Sequence, residues 1–370
     1  MGKTHIELNG KNVLVTGSPG FIGANVVLRI LREVSSGTVV SLDNLNDYYD
    51  PGLKEYRLGL INAAAKSSGV RHVFVRGSID DPILLERLFG EYSFDIVVNL
   101  AAQAGVRYSI DHPDEYMASN VVGFYNILEA CRRHPVKHLV YASSSSVYGG
   151  SRQIPFSTED RADSPISFYA ATKRADELFA HAYACLYHIP ATGLRFFTVY
   201  GPAGRPDMFY FSATQKLAAG RTIQIYNRGE MRRDFTFIDD ITEGVFRVMQ
   251  GAPEAETGED GRTVPPCAVY NIGSGHPENL LDFISVLQEE LVRAGILAPD
   301  YDFEGHRQLA GMQAGDMPET WADVAALERD YGFAPKTGLR EGLRAFAGWY
   351  RAYYYDNNRT GSTGSGKDRG

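Results

Sequence analysis

Gly17-x-x-Gly20-x-x-Gly23 stands between a short apolar run, Asn12-Val-Leu-Val-Thr16, and an amphipathic segment, Ala24 to Glu33, with Val27, Ile30 and Leu31 at helical spacing. A glycine-rich turn that leaves a strand and opens a helix restricts the fold more than any other feature of the chain. It lets backbone N–H groups come close to a bound anion, and the helix N-terminus adds a favourable dipole. Such a turn can also serve packing alone, so its context decides. Further short runs rich in β-branched residues follow at Thr38–Leu42, His72–Val75, Asp95–Leu100, His138–Ala142 and Thr192–Phe196. Helical patterns at Ile83–Phe89, Asn120–Arg132 and Tyr169–Tyr187 alternate with them. That alternation predicts an α/β fold with a parallel sheet covered by helices on both faces.

After Gly201 the texture changes, with more Pro, Gly, aromatic and arginine residues and fewer clean repeats. The expected organisation is therefore a nucleotide-binding domain over residues 1–200 and a smaller α/β substrate lobe over 201–355. Segments near 234–250 and 268–290 are expected to return to the first domain, with Asp234–Asp240 and Ala268–Ile272 as added strands. Ala252 to Pro266 reads as an exposed loop, and residues 356–370 read as a disordered, Gly/Ser-rich tail.

The net charge of −8 disfavours nucleic acid or an anionic membrane surface as the main partner, so any phosphate site must be local. No apolar run approaches the ~18 residues of a membrane helix, and Met1–Leu8 lacks the apolar core of a secretory signal. A cytoplasmic location is expected. Cys131, Cys185 and Cys267 are odd in number and widely spaced, which indicates buried free thiols in a reducing compartment rather than disulfides or a zinc site. Asn358-Arg-Thr360 fits the glycosylation pattern and is expected to be silent in that compartment.

Asp43 ends the second strand pattern, 20 residues beyond Gly23. There a carboxylate can accept from ribose hydroxyls and repel a 2′-phosphate, and Asn44-Leu-Asn46 adds no Arg or Lys to reverse that preference. NAD is favoured over NADP. A strand-end turn residue is the competing reading of Asp43. Farther on, Tyr169-Ala-Ala-Thr-Lys173 puts a phenol and an ammonium on one helix face. A phenol working as a base near neutrality needs a shift of roughly 3 units, or about 4 kcal/mol. One ammonium about 4 Å away, at an effective dielectric near 20, supplies that amount.

The glycine spacing, Leu100-Ala-Ala102, the serine run Ser143–Ser146 before Val147-Tyr148-Gly149, and Tyr169-x-x-x-Lys173 together resemble the extended short-chain dehydrogenase/reductase family. The resemblance covers about residues 10 to 350. More narrowly, Asp43–Asp50, Ala101–Arg107, Arg195–Pro202 and Gly204–Met208 resemble the UDP-glucuronate 4-epimerases within it. The resemblance implies a Rossmann-type doubly wound domain with tightly bound NAD, a UDP-sugar lobe and transient oxidation at C4. Two positions depart from the family: Ser78, where Asp is usual near the adenine, and Asn99, where His is frequent.

What the resemblance implies for the site is specific. Cofactor contacts would come from Gly17, Gly20, Phe21, Ile22, Gly23, Asp43, Asn44, Ser78, Ile79, Leu100, Ala101, Ala102, Gln103, Asn120 and Phe196, with Tyr169 and Lys173. Read from the residues alone, Phe196, Phe197 and Tyr200 are core rather than ligand contacts. Ser144, 25 positions before Tyr169, would hydrogen-bond O4 while Tyr169 takes its proton and Lys173 holds the phenolate. Ser145 and Ser146 stand where sugar 4,6-dehydratases carry an acid pair, so dehydration is disfavoured. With Thr198 they would hold a glucuronate carboxylate away from decarboxylation, and Arg205, placed for the same carboxylate, would fix the neighbouring loop or ring. Arg233, Asp316 and the edge strand Gln224–Tyr226 would take the UDP half, with Arg107 facing the sugar or diphosphate or else stabilising its loop. Helices Asn120–Arg132 and Tyr169–Tyr187 resemble the family's dimer helices, so a homodimer is expected. A UDP-glucose 4-epimerase, a UDP-glucuronate decarboxylase and a non-catalytic NAD sensor remain the competing readings.

Overall fold

Seven strands form one parallel sheet in the computed structural model, which describes residues 2–151, 153–258, 261–312 and 317–356. They are β1 (Lys11–Thr16), β2 (Gly37–Asp43), β3 (Val70–Arg76), β4 (Ile96–Asn99), β5 (His138–Ser144), β6 (Ala191–Phe196) and β7 (Cys267–Ile272). Their spatial order is β7-β6-β5-β4-β1-β2-β3. Winding therefore reverses between β1 and β4, the place where doubly wound sheets open a crevice for ligands. Leu14, Val40, Val97, Val98, Leu139 and Val140 are fully buried, as expected of strands covered on both faces.

The helices that flank the sheet are α1 (Phe21–Glu33), α2 (Pro51–Ala65), α3 (Pro82–Tyr92), α4 (Gly123–Arg133) and α5 (Phe168–Tyr187). Local chemistry sets their starts. Asp81 accepts from the N–H groups of Ile83 and Leu84 with Pro82 at the first helical position, and Ser167 accepts from Ala170 N. α5 stops at His188, whose φ of 56° is left-handed. The expected single helix Asn120–Arg132 is divided: Met117–Val122 is a wider π-type turn and α4 begins at Gly123. Packing explains the glycine, since a Cβ at 123 would lie 2.6 Å from Ile79 Cγ1.

Two expectations after residue 200 are corrected. Asp234–Asp240 is not a strand of the main sheet. Phe235–Phe237 pairs in parallel with Thr198–Tyr200, and a helix, Ile238–Met249, starts directly after it and packs on α1. Asp239 and Asp240 in that helix's first turn favour its N-terminal dipole, which ends the strand. Nor is Ala252–Pro266 simply an exposed loop. Gly251–Pro253 is a buried strand paired antiparallel with Lys3–His5, and Glu256–Thr257 pairs with Thr263–Val264. Ala268–Ile272 does join the sheet, within β7.

The second lobe is built on the parallel pair Ile223–Ile225 and Arg307–Leu309 with helices Phe209–Ala218, Leu280–Arg293 and Leu339–Arg351. One apolar cluster runs through both lobes, joining Val13, Val15 and Leu194 to Phe211, Phe283 and Phe346. Arg57, 1% exposed, adds a polar tie. It donates to Pro19 O in the glycine turn at 3.1 Å and to Ala203 O and Gly204 O at 2.8 Å each. Of the three cysteines expected to be buried, Cys131 is buried and Cys267 half-buried, but Cys185, on the outer face of α5, is exposed. Most of the expected tail, residues 357–370, lies outside the described residues.

Candidate active site

A cleft of about 950 Å³ opens at the winding reversal and is walled by both lobes. Its volume suits bound small molecules. The floor is the glycine turn. Gly17 has φ +68°, and a Cβ there would lie 2.8 Å from Ala101 N, at the mouth of β4. A Cβ at Gly23 would lie 2.3 Å from Gly17 O. These contacts bring bare backbone to the start of α1, whose first turn has no side-chain cap and no acidic residue. Its N–H groups remain for an anion. Gln103 Nε2, buried at the cleft, has no hydrogen-bond partner among the described residues. Bare glycine backbone and an orphaned amide donor fit a dinucleotide pyrophosphate and ribose.

Phe21, Ile22, Asn44, Ser78, Ile79, Leu100, Ala101, Ala102 and Phe196 also line this cleft. Asp43 sits at its edge, at the end of β2, and accepts from Leu45 N at 2.7 Å. Lys54 Nζ lies 3.8 Å from Asp43 Oδ1 and donates to Asn46 Oδ1 at 2.6 Å. The absence of a cation in Asn44–Asn46 therefore does not describe the site, because α2 supplies one from farther along the chain. Burial pushes the Asp43 carboxyl up, with Lys54 opposing it. Asn120 does not line the cleft. It is buried behind it, where Oδ1 accepts from Gln103 N at 2.8 Å and Nδ2 donates to Gln103 O at 3.1 Å. Asn99 is likewise turned inward, accepting from Thr16 Oγ1 at 2.7 Å.

The reactive groups meet where β5 and α5 approach. Ser144 Oγ, at the end of β5, accepts from Ser146 N and donates to Ser146 Oγ, each at 3.2 Å. Ser145 opens a short 3₁₀ turn through Tyr148. Tyr169 lies in the first turn of α5, its N–H on Ser109 Oγ at 3.2 Å and its ring edge-on to Tyr116, with centroids 6.0 Å apart. Lys173 is buried one turn further on and donates to Asp176 Oδ2 at 3.0 Å. Ser144, Ser145, Ser146, Tyr169 and Lys173 all line the cleft.

The opposite wall carries Thr198, Arg205, Arg107, Gln224 and Tyr226. Arg205 forms a two-point ion pair with Asp207, at 3.0 and 2.5 Å, and Tyr48 OH donates to the same carboxylate at 3.2 Å. Burial opposes the Asp207 charge, yet Arg205 outweighs it and holds the carboxyl below its ordinary range. Arg107 lies over the Tyr226 ring at 5.2 Å, and Tyr226 OH donates to Gln224 Oε1 at 2.7 Å. Arg233 is not brought to this cleft: its guanidinium donates to Arg232 O and Pro318 O. Asp316 lies outside the described residues. Sequence reasoning missed Lys54, Tyr48, Asp207 and Lys216 in the lining. Asp207, two residues from Arg205, and Tyr48, inside the Asp43–Asp50 string, carried local signals. Among the described residues no group of three or more His, Cys, Asp or Glu side chains is placed to hold a metal.

A glycine turn at the winding reversal, with a serine, a tyrosine and a lysine in one cleft, defines a nucleotide-dependent Rossmann-type enzyme. The pattern of the NAD dependent epimerase/dehydratase family matches residues 13–273, and the chain belongs to that family. Among its relatives, UDP-glucuronate 4-epimerase 4 of Arabidopsis thaliana is 43% identical over 353 residues, 94% of this chain and 76% of the relative. Protein CapI of Staphylococcus aureus is 43% identical over 349 residues, 92% of this chain and 99% of the relative. The crystal structure of UDP-glucuronic acid 4-epimerase from Bacillus cereus, in complex with UDP-glucuronic acid and NAD, superposes with a TM-score of 0.78. The two are 29% identical, with 93% of this chain and 100% of that chain covered.

Proposed function

We propose that the chain is a UDP-glucuronate 4-epimerase, interconverting UDP-glucuronate and UDP-galacturonate with NAD held at the glycine turn. The observation that carries this reading is the single cleft in which Ser144, Tyr169 and Lys173 face Thr198 and Arg205 across the glycine-turn floor. Identity of 43% to a plant UDP-glucuronate 4-epimerase along nearly the whole chain supports the substrate. Bound NAD supplies a reversible acceptor for the electron pair that leaves C4.

The side chains do the rest. Tyr169 takes the proton from O4 and returns it, with Ser144 Oγ hydrogen-bonded to the same oxygen and Lys173 favouring the phenolate. Ser145 and Ser146 cannot act as the acids that dehydration across C5–C6 requires. A carbonyl at C4 makes the sugar a β-keto acid, so its carboxylate must be kept out of line with the carbonyl π system. Hydroxyls of Ser145, Ser146 and Thr198 suit that task, and the Arg205–Asp207 pair offers a fixed cation beside them. Arg107, Gln224 and Tyr226 form the nucleotide end.

We assign residues 1–200 to the NAD-binding unit and 201–355 to the UDP-sugar lobe. Met117, Val122, Tyr125, Leu178, Leu186 and Tyr187 leave apolar surface exposed along the Met117–Arg133 segment and α5, which supports a homodimer through those helices. No described helix is long and apolar enough to cross a membrane, in keeping with a cytoplasmic enzyme.

Assaying C4 epimerisation of UDP-glucuronate against UDP-glucose, with cofactor released by denaturation, tests the reading. Tyr169→Phe is expected to lose about 10²–10⁴ in turnover while NAD stays bound. Preferred turnover of UDP-glucose, a dominant UDP-pentose product, or near-normal turnover in Tyr169→Phe overturns it.

A further inference from the structure

Asp176 lies three residues after Lys173 on α5, and the two side chains are 1% and 3% exposed. Asp176 Oδ2 accepts from Lys173 Nζ at 3.0 Å, while Oδ1 is buried without a partner among the described residues. Other charged and titratable groups face this point. Glu177 is on the same helix and Tyr141 comes from β5, and Arg195 from β6 and Cys267 from β7 act in turn on Tyr141. Glu177 is committed to Arg195, Ser143 and Arg174, and Arg195 to Glu177, so Lys173 is the cation bonded to Asp176.

Nothing in the reaction proposed above calls for a carboxylate here. In the epimerase reading Lys173 holds the Tyr169 phenolate, and Arg205 and Tyr116 also face that phenol, so a group that takes up the ammonium's charge acts on the phenol as well. Tyr169 and Asp176 are separated by two helical turns on one face, about 10 Å. A full negative charge at that separation, at an effective dielectric near 20, disfavours a second anion there about tenfold.

We propose that Asp176 is a positioning residue for the base: its carboxylate fixes the Lys173 ammonium and offsets part of the charge that ammonium exerts on Tyr169. This rests on the epimerase reading. Burial pushes the Asp176 carboxyl up to about 7, with Lys173 opposing. The counter-charge is therefore present above neutrality and fades below it. As pH falls, the ammonium acts on Tyr169 with less opposition, so ionisation of the base is extended into mild acid. A fixed carboxylate would instead raise the phenol at every pH.

The test is the pH profile of kcat for UDP-glucuronate epimerisation by the NAD-loaded protein, compared with Asp176→Asn and Asp176→Glu. In Asp176→Asn kcat is expected to hold its plateau to lower pH than in the parent, with the two profiles converging in mild acid and KM nearly unchanged. Asp176→Glu keeps the charge and is expected to keep the limb of the parent. Superimposable limbs in the parent and Asp176→Asn overturn the proposal. So does an equal displacement in both variants, which would trace the effect to packing. If Asp176→Asn does not fold, Asp176→Ser carries the same expectation. Failure of the parent to epimerise UDP-glucuronate at all removes the underlying reading instead, so the two failures are distinguishable.

Discussion

Glu177 receives Arg195 through two parallel hydrogen bonds, Nε to Oε1 and Nη2 to Oε2, both 2.8 Å. Ser143 Oγ donates to the same carboxylate at 2.6 Å and Arg174 at 2.8 Å. One buried carboxylate thus joins the helix bearing Tyr169 to the strand that ends in Ser144 and to the strand beside it.

Removing it leaves the Arg195 charge buried and unpaired. Glu177→Ala is expected to lower stability by about 3–5 kcal/mol, read as a fall in denaturant midpoint at unchanged slope. Glu177→Gln keeps the shape and part of the bonding, so a smaller loss is expected. A Glu177→Ala midpoint equal to that of the parent would show that the clamp contributes nothing.

Asp43 and Lys54 make a second prediction. Asp43→Ala deletes a ribose acceptor and frees Lys54 from its counter-charge. NAD affinity is expected to fall about tenfold, or about 1.4 kcal/mol, while the 2′-phosphorylated dinucleotide binds more tightly than it does to the parent. Titration calorimetry on stripped protein measures both, and Asp43→Ala with Lys54→Ala should lose the gain. A 2′-phosphate preference unchanged in Asp43→Ala counts against any role for this pair in cofactor choice.

His138 supplies a pH dependence. Its ring is fully buried, with Nε2 2.8 Å from Thr192 Oγ1 and the Met249 backbone against the ring. Burial lowers its pKa from 6.5 to about 4. The unfolded chain therefore binds a proton in this interval that the folded chain refuses, so stability falls as pH drops from 6.5 toward about 4. The full effect of a shift of that size is about 3 kcal/mol. Denaturation series for the parent and His138→Asn should diverge across that window, with the parent losing more. Parallel curves would mean that His138 does not titrate there.

Much of this was legible locally. The parallel strands announce themselves as β-branched runs with glycine or helical patterns between them, and Gly17–Gly23, Asp43 and Tyr169–Lys173 are defined by short spacings, while Ser144 was reached through the family resemblance. The misread segments depended on distant partners. Ala252 reads as loop until Lys3–His5 pairs with it, and Phe235–Phe237 is a strand because Thr198–Tyr200 lies alongside. Lys54 reaches Asp43 only through the packing of α2, and Arg233 turns to backbone carbonyls that no local pattern points to. The Lys173–Asp176 spacing was visible. Its burial was not.

The apolar cluster shared by Val13 and Phe346 has a mechanical consequence. Lobes welded through one interior cannot swing apart as two jaws without breaking that interior open. A sugar that must show first one face and then the other to a fixed cofactor would have to turn inside a chamber whose walls stay still.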